Sequence, residues 1–313
     1  MSKEIKTILL TGSGGMVGKN ILNYYKAQQY NFLSPKREEL DLLNQASLDS
    51  YLKCNKVDLV IHAAGLVGGI KVNIENPVKF LMENSYIGLN LISSCLKNNV
   101  GKILNLASSC IYPKNAKNPL REDMILKGEL EATNEGYALA KILSVKACEY
   151  ISKTSQDFFY KTIIPCNLYG KYDKFDLDNS HMVPAVIAKL HNAKMNNVDK
   201  VEIWGDGKAK REFMYAEDLA DFIFHAIENF DLLPQNMNIG TGVDYAIDEY
   251  YYMIAKVVDY RGIFVHNTLK PVGMERKLVD ISQVANFSWK YKTGLEEGLE
   301  KTYKYYLDKI CKV

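Results

Sequence analysis

The fold is decided close to the N-terminus, by the stretch Ile5-Lys6-Thr7-Ile8-Leu9-Leu10-Thr11-Gly12-Ser13-Gly14-Gly15-Met16-Val17-Gly18. Ile5 to Leu10 is a short apolar run, as in a buried strand, and residues from about 16 to 28 have helical character. Between them, Gly12, Gly15 and Gly18 give the pattern G-x-x-G-x-x-G. Glycines let the backbone approach a pyrophosphate, and the N-terminus of the following helix favours its negative charge. The stretch therefore predicts a strand, a dinucleotide-binding turn and a helix.

The rest of the first half repeats this alternation of strand and helix. Further strands are predicted at Phe32-Leu33, Asp58–His62, Lys102–Ala107 and Phe159–Pro165. One helix should follow Pro77, and another should carry Tyr137 and run to about residue 153. Strands that alternate with helices imply a parallel sheet. We therefore predict an α/β fold, a Rossmann-like doubly wound parallel sheet with a smaller C-terminal substrate domain.

The alternation fades after Asn167, which divides the chain into two predicted domains. Residues 1–169 form the predicted dinucleotide-binding domain. Residues 214–241, with a helix after Ala216 and a run to Ile239, return to it. Residues 170–213 and 242–313 form the predicted substrate domain, with a helix near 184–196 and a strand at Val201–Trp204.

Composition excludes several classes of protein. The formal net charge of +2 over 313 residues gives no reason to expect nucleic acid or an anionic membrane as a partner. No apolar run reaches the roughly 18–20 residues that span a bilayer, and the polar start MSKEIK does not resemble a secretory signal. The six cysteines form no CxxC pair and predict no metal site. A reduced, cytoplasmic setting is the simplest interpretation.

The end of the second predicted strand indicates which dinucleotide binds. An NAD site usually has an acidic residue there, about 20 residues past the glycines, to hold the ribose hydroxyl. Here Ser34 stands in that place and is followed by Pro35, Lys36 and Arg37. Two cations and no carboxylate favour the 2′-phosphate of NADP(H), although a solvated loop with incidental charge would look the same.

A second motif, Tyr137-Ala138-Leu139-Ala140-Lys141, points to hydride chemistry. Tyr and Lys at i and i+4 share one helix face, and the ammonium is expected to lower the pKa of the phenol toward neutrality. Ser108 follows the fourth predicted strand, where ligands of such sheets bind. Tyr137 would be the general acid in reduction, Lys141 would also bind the nicotinamide ribose, and Ser108 would polarise the carbonyl. By chance alone, Y-x-x-x-K is common.

These residues belong to a longer set of segments that resembles the extended short-chain dehydrogenase/reductase family, and within it the GDP-L-fucose synthases. The resemblance runs almost end to end. Its segments are Gly15-Met16-Val17-Gly18, Val67-Gly68-Gly69-Ile70, Ser108-Ser109-Cys110-Ile111-Tyr112-Pro113-Lys114, Thr133-Asn134-Glu135, Asn167-Leu168-Tyr169-Gly170, Asn179-Ser180-His181, Trp204-Gly205, Arg211-Glu212-Phe213 and Arg276-Lys277-Leu278.

The resemblance implies an NADP-dependent oxidoreductase that reduces the C4 ketone of a GDP-4-keto (6-deoxy) sugar. It also implies epimerisation at C3 and C5, with Cys110 and His181 as the acid/base pair; both groups titrate near neutrality. Substrate contacts are expected from Asn167, Trp204, Arg211 and Lys277. We expect a homodimer. The expected cofactor contacts are Gly12, Gly15, Met16, Val17, Gly18, Lys36, Arg37, Asp41, Leu42, Ala63, Ala64, Gly65, Tyr137, Lys141 and His181.

The chain also departs from the family pattern. Gly14 stands where members can carry an arginine that grips the 2′-phosphate, and Gly136 replaces a proline that commonly precedes the tyrosine. Residues 171–176 differ from the loop expected after the Asn-Leu-Tyr-Gly motif, so a larger sugar such as a heptose stays open. A C4-reductase without epimerase activity and a non-catalytic dinucleotide-sensing protein remain alternatives. A 4,6-dehydratase is disfavoured because Ser109-Cys110 stands where that chemistry has Asp-Glu.

Overall fold

The structure is a computed structural model that describes residues 4–176, 180–270, 272–309 and 311. The strands are β1 Thr7–Thr11, β2 Asn31–Leu33, β3 Leu59–His62, β4 Lys102–Leu106, β5 Phe159–Pro165, β6 Asn167–Tyr169, β7 Lys200–Trp204, β8 Lys210–Arg211, β9 Phe213–Tyr215, β10 Asn236–Ile239, β11 Tyr245–Ala246, β12 Ile263–Asn267 and β13 Arg276–Lys277. The α-helices are α1 Met16–Asn23, α2 Gln45–Cys54, α3 Ile70–Glu75, α4 Pro77–Lys97, α5 Glu135–Thr154, α6 Met182–Met195, α7 Ala216–Glu228, α8 Ile247–Val258, α9 Ser282–Asn286 and α10 Leu295–Lys309.

A six-stranded sheet organises the fold, in the order β10-β5-β4-β3-β1-β2. Every neighbouring pair in it is parallel, which confirms the predicted α/β class. Since ligands of such sheets bind beyond the carboxyl ends of the strands, Thr11, His62 and Leu106 mark the edge where a site is expected.

Both faces of the sheet are covered, because side chains along a strand alternate between its faces. Leu9, Val60 and Ile103 belong to one buried cluster, together with residues of α2 and α4. Ile8 and Leu10 belong to another, together with residues of α1 and α7. These continuous apolar strands are typical of a parallel sheet packed between two helical layers.

A second region has its own buried cluster. It contains residues from α6, α8 and α10 together with β7 and β9. Three small sheets accompany it, β11-β8-β13, β12-β7 and β6-β9. The division of the chain at 169/170, 213/214 and 241/242 stays a prediction, although β10 does pair with β5 in the large sheet.

Most predicted elements are present, and one is wrong in part. The helix predicted for residues 16–28 ends at Asn23, and Tyr24 is extended before a 3₁₀ turn at Tyr25–Gln29. Tertiary contacts override the helical pattern here: the Tyr24 ring stacks on Phe224 at 5.5 Å between centroids, and its hydroxyl donates to Asp221. In the described part of the chain, no helix combines the length and apolar character needed to cross a bilayer.

Candidate active site

The glycine turn connects β1 to α1 in a conformation that requires glycine. Gly12 has a φ of +73°, and a Cβ there would lie 2.7 Å from the backbone of Ala63. A Cβ at Gly18 would collide with the Gly12 carbonyl. Gly15 caps α1 without a side-chain hydrogen bond, and the first turn has no acidic residue. The first-turn amides of Met16, Val17 and Gly18 are therefore placed as an anion site would require.

The end of β2 lies beside this turn, because Ser13 Oγ donates to the Ser34 carbonyl at 3.3 Å. Lys36 and Arg37 follow and are exposed. Neither side chain forms an ion pair within the described residues; Glu39 accepts only from the Lys36 amide, at 2.7 Å. Two cations are thus available at the strand end. A Cβ at Gly14 would have no heavy atom within 4 Å, so this position can accept a side chain.

The predicted cofactor contacts after β2 and β3 are half-buried. The Asp41 carboxylate accepts from the Leu43 amide at 3.1 Å, and the Leu42 carbonyl accepts from Asn90. Ala63, Ala64 and Gly65 follow β3. The Ala63 backbone lies against Gly12, and a Cβ at Gly65 would lie 3.5 Å from Lys141 Nζ. The 63–65 segment therefore connects the glycine turn to the region of Lys141.

Ser108, Tyr137 and Lys141 converge at the carboxyl end of β4. Ser108 follows β4 by two residues and Tyr137 lies in the first turn of α5. Lys141 Nζ donates to the Leu106 carbonyl at 3.1 Å and lies 5.8 Å from the centroid of the Tyr137 ring. Lys141 thus ties the helix that carries the phenol to the strand that ends near Ser108. Gly136 packs against α4, since a Cβ there would lie 2.7 Å from the Pro77 carbonyl oxygen.

The expected lowering of the phenol pKa is wrong for this structure. Burial, and then Cys110, raises the pKa of Tyr137 above its usual value. Burial lowers the pKa of Lys141 to about 8. The physical reason is that both groups are shielded from water, while the ammonium donates to a carbonyl rather than to the phenol. Tyr137 is therefore protonated at neutral pH, as a general acid must be.

Cys110 and His181 both interact electrostatically with Lys277. Cys110 is 4 % exposed, and burial raises the pKa of its thiol, opposed by Lys277 and by a hydrogen bond with Ser108. His181 caps α6. Burial lowers the pKa of this imidazole, and the charges of Lys277 and Lys174 lower it further. At neutral pH the thiol is protonated and the imidazole is neutral. Asn179 of the Asn-Ser-His segment lies outside the described residues.

Arg211 and Lys277 are direct partners in the parallel pairing of β8 with β13. Burial lowers the pKa of both cations, and Glu131 opposes this in each case. The Arg211 guanidinium donates to the carbonyls of Lys210 at 2.8 Å and Val272 at 2.9 Å. Two like charges side by side destabilise a strand pair, so this place is suited to an anion.

The other two predicted substrate contacts are less directly connected to this centre. Asn167 Nδ2 donates to the Glu212 carbonyl at 2.9 Å, so that end of the amide is committed to the backbone. Trp204 ends β7, is 39 % exposed, and has Lys270 Nζ 5.3 Å from its ring centroid. Trp204 therefore offers a ring at the surface.

A cavity of about 340 Å³ adjoins the convergent residues. Phe80 forms one wall and meets the Tyr137 ring edge-on at 6.4 Å. Lys174, whose charge acts on His181, forms another. Sequence reasoning assigned no role to Phe80, Lys174 or Glu212. Glu212 lay within a quoted motif, and Lys174 lay within the loop that departs from the family pattern.

Comparisons with known proteins agree with this geometry. The sequence model of the NAD dependent epimerase/dehydratase family matches residues 8–240. A GDP-L-colitose synthase of Yersinia pseudotuberculosis is 59% identical over 301 residues, covering 96% of this chain and 98% of that protein. A GDP-L-fucose synthase of Azorhizobium caulinodans is 44% identical over 302 residues, covering 96% of each. The solved structure of a GDP-mannoheptose C4 reductase from Campylobacter jejuni with NADP bound has a TM-score of 0.87 and 30% identity, covering 97% of this chain and 99% of that one.

Proposed function

Because the chain belongs to the NAD dependent epimerase/dehydratase family, we propose that it reduces the C4 ketone of a GDP-4-keto-6-deoxy sugar with NADPH and epimerises the sugar beside that ketone. The observation that carries the proposal is the convergence of Ser108, Cys110, Tyr137 and Lys141 at the end of β4. Full-length identity to a GDP-L-colitose and a GDP-L-fucose synthase supports the substrate class.

The residues around the glycine turn fit NADP(H). Gly12 and Gly18 permit a tight turn, in which any Cβ would collide with the backbone of Ala63 or of Gly12, and no side chain caps α1, so the first-turn amides are left for a pyrophosphate. Lys36 and Arg37 would hold the 2′-phosphate, Asp41 and Leu42 the adenine side, and Ala63 to Gly65 the middle of the cofactor. When bound, NADPH supplies the hydride that reaches C4.

Reduction needs a proton on the C4 oxygen, and Tyr137 is placed to give it. The phenol is protonated at neutral pH because burial raises its pKa. Ser108 Oγ would donate to the same oxygen. Lys141, beside Gly65, would bind the nicotinamide ribose and stabilise the phenolate left after proton transfer.

Epimerisation needs a base on one face of the carbon and an acid on the other. In the free protein, His181 is the neutral base and Cys110 the protonated acid, because burial lowers the pKa of the imidazole and raises that of the thiol. Lys277 acts on both groups and would stabilise the enolate. Arg211 and Lys277, paired on β8 and β13, would also bind the diphosphate, and Trp204 offers a ring face for the base.

The two curated relatives differ in their sugar, and this chain is more similar to the colitose synthase. Colitose is fucose without the C3 hydroxyl. Carbon 3 is then no stereocentre, and only C5 needs inversion. We therefore propose a GDP-4-keto-3,6-dideoxy sugar as the first substrate to test. The second candidate is C4 reduction of a GDP-4-keto heptose without epimerisation, favoured by full-length similarity to a GDP-mannoheptose C4 reductase.

The decisive experiment separates epimerisation from reduction. With oxidised NADP bound, hydride transfer is blocked, and the enzyme should wash solvent deuterium into the carbon beside the ketone. Cys110→Ser should abolish inversion at that carbon, because a serine hydroxyl is a far weaker acid than a thiol, and should leave reduction of an already epimerised ketone largely intact. Cys148→Ser, a change at a buried cysteine of α5 outside the site, is the matched control.

The outcomes of this experiment distinguish the candidates. Reduction by NADPH without deuterium exchange in the wild type would leave only the C4-reductase. No turnover with any GDP-4-keto hexose or heptose, despite NADPH binding, would favour the dinucleotide-sensing alternative. Product configuration by NMR identifies the sugar.

The assembly and the compartment are part of the same proposal. Val78, Met82, Tyr86 and Leu89 form an exposed apolar stripe on α4, and Leu139, Leu143 and Tyr150 form one on the adjoining α5. A second copy of the chain would cover both. Tyr86→Lys should shift the mass measured by light scattering from dimer to monomer; an unchanged mass would exclude this interface. All six cysteines are free thiols, which is compatible with the reducing cytoplasm.

A further inference from the structure

Glu212 is a fully buried carboxylate between β8 and β9, and the mechanism above does not use it. Its Oε1 accepts from the amides of Thr241 at 2.6 Å and Gly242 at 2.7 Å, and from Thr241 Oγ1 at 3.3 Å. Its Oε2 accepts from the amide of Val279 at 2.9 Å. Four donors on two separate segments thus meet one side chain.

Each partner of Glu212 lies close in sequence to a functional element. Thr241 and Gly242 follow β10, the edge strand of the large sheet. Val279 lies two residues after Lys277, the last residue of β13. On the other side, the Glu212 backbone carbonyl accepts from Asn167 Nδ2 at 2.9 Å. The carboxylate therefore ties the cation-bearing strands to the end of the sheet.

Glu212 accepts from three backbone amides and from the Thr241 hydroxyl rather than from the neighbouring cations. After burial, which raises its pKa, the largest influences are the amides of Val279, Gly242 and Thr241. The charges that act on Lys277 are those of Cys110, Arg211 and Glu131, so Glu212 is not what neutralises the two cations that repel each other across the β8–β13 pairing. Since two like charges side by side destabilise a strand pair, the register of β8 and β13 needs support when no anion is bound. Glu212 provides such a link, because it follows Arg211 in the chain and its carboxylate accepts from the amide of Val279, two residues after Lys277.

We propose that Glu212 is a positioning residue, which holds Arg211 and Lys277 side by side so that they can bind the diphosphate of the substrate. This inference rests on the proposed function. It predicts that the carboxylate affects nucleoside-diphosphate affinity without touching the ligand. Cofactor affinity should be unaffected, because the residues that donate to the carboxylate, Thr241, Gly242 and Val279, belong neither to the glycine turn nor to the end of β2.

The first test uses Glu212→Gln with GDP as the probe. Glutamine keeps one acceptor for Thr241 and Gly242, but its NH₂ group would face the Val279 amide, so one donor meets another. We expect the Kd for GDP by calorimetry to rise at least tenfold, the Kd for NADPH to change less than twofold, and KM to rise more than kcat falls. The matched control is Asp218→Asn on α7, since Asp218 is also buried and accepts from Thr293 N at 2.9 Å and Thr293 Oγ1 at 3.2 Å rather than from a residue next to β8 or β13.

Both variants should lower the unfolding temperature, and only Glu212→Gln should weaken GDP binding. An unchanged Kd for GDP in a folded Glu212→Gln protein would show that Glu212 contributes to stability alone, and it would overturn the proposal. If the glutamine variant does not fold, Glu212→Asp, which keeps the charge but withdraws it by one methylene, replaces it with the same expectation.

A second test needs no variant. Binding is reciprocal, so a ligand on the cation pair must stabilise the Glu212 hydrogen bonds. GDP should slow hydrogen exchange of the wild-type amides at 241, 242 and 279 but not at 293. No slowing at the first three would contradict the proposal. If the wild type binds UDP rather than GDP, the proposed substrate is wrong and both tests are run with UDP; if it binds neither, both proposals fail.

Discussion

Replacing Lys141 by methionine should stabilise the protein while removing its activity. Lys141 is 8 % exposed, and burial lowers its pKa from 10.5 to about 8. Holding the ammonium charged at pH 7 therefore costs the folded state about 3 kcal/mol. Methionine fills a similar volume without the charge, but it leaves the Leu106 carbonyl without its donor, which costs about 1 kcal/mol. The net expectation at pH 7 is a gain of about 2 kcal/mol in the free energy of unfolding.

The pH dependence gives this prediction its signature. Because the folded-state pKa lies below the unfolded one, the unfolded chain binds more protons between pH 8 and 10.5. Wild-type stability therefore rises with pH through that window, as Lys141 loses its proton in the folded state. At pH 9.5 the remaining cost of the charge is about 1.4 kcal/mol. The advantage of the methionine variant should then nearly vanish.

Urea denaturation at pH 7 and pH 9.5 measures the difference, and NADPH titration with a turnover assay measures the loss of function. Lys153→Met, an exposed change on the same helix, is the control and should alter stability by less than about 0.5 kcal/mol at either pH. A Lys141→Met protein that is less stable than wild type at pH 7, or equally stabilised at both pH values, would refute the reasoning.

Three further changes test the cofactor site and the acid. Arg37→Ala should weaken NADPH binding by about 1–3 kcal/mol and leave NADH binding unchanged; equal wild-type affinity for both cofactors would contradict the NADP assignment. Tyr137→Phe should slow reduction by roughly 10²–10⁴-fold while NADPH still binds, and near-normal turnover would exclude Tyr137 as the acid. Gly12→Ala should destabilise the fold by more than about 1 kcal/mol because of its positive φ and its contact with Ala63. Gly14→Ala, which faces open space, should leave the unfolding temperature unchanged.

The large sheet could be predicted because its signals are local. Short, largely apolar runs identify β1, β3, β4 and β5 with little ambiguity, and glycine closely follows the first two. The end of α1 could not be predicted, because the residues after Asn23 keep a helical composition. What ends the helix is the stacking of Tyr24 on Phe224, about 200 positions away in the chain. Local patterns carry no information about such a contact.

The candidate site likewise has residues that the local sequence identifies and residues that only the folded structure brings together. Residue types and spacing were enough to nominate Ser108, Tyr137 and Lys141, and the structure places them at one strand end. The ionisation of Tyr137 was predicted in the wrong direction, because the i,i+4 spacing shows which groups are near but not how deeply they are buried. Glu212 had no functional signal of its own, since its partners at 241, 242 and 279 come together only through the fold.

Burial of cations is the common physical feature of the proposed site. Burial lowers the pKa of Lys141, Arg211 and Lys277, because desolvation disfavours the charged form of each side chain. A buried cation has lost part of its hydration in the free protein. A bound anion restores a favourable electrostatic interaction with that cation, and this interaction contributes to the binding free energy. A diphosphate at Arg211 and Lys277, and the phenolate that forms beside Lys141, are two such anions. The buried cations therefore lower the free energy of unfolding of the free protein, while they raise ligand affinity and stabilise the transition state. For this reason, replacing Lys141 by methionine should raise the free energy of unfolding and abolish activity.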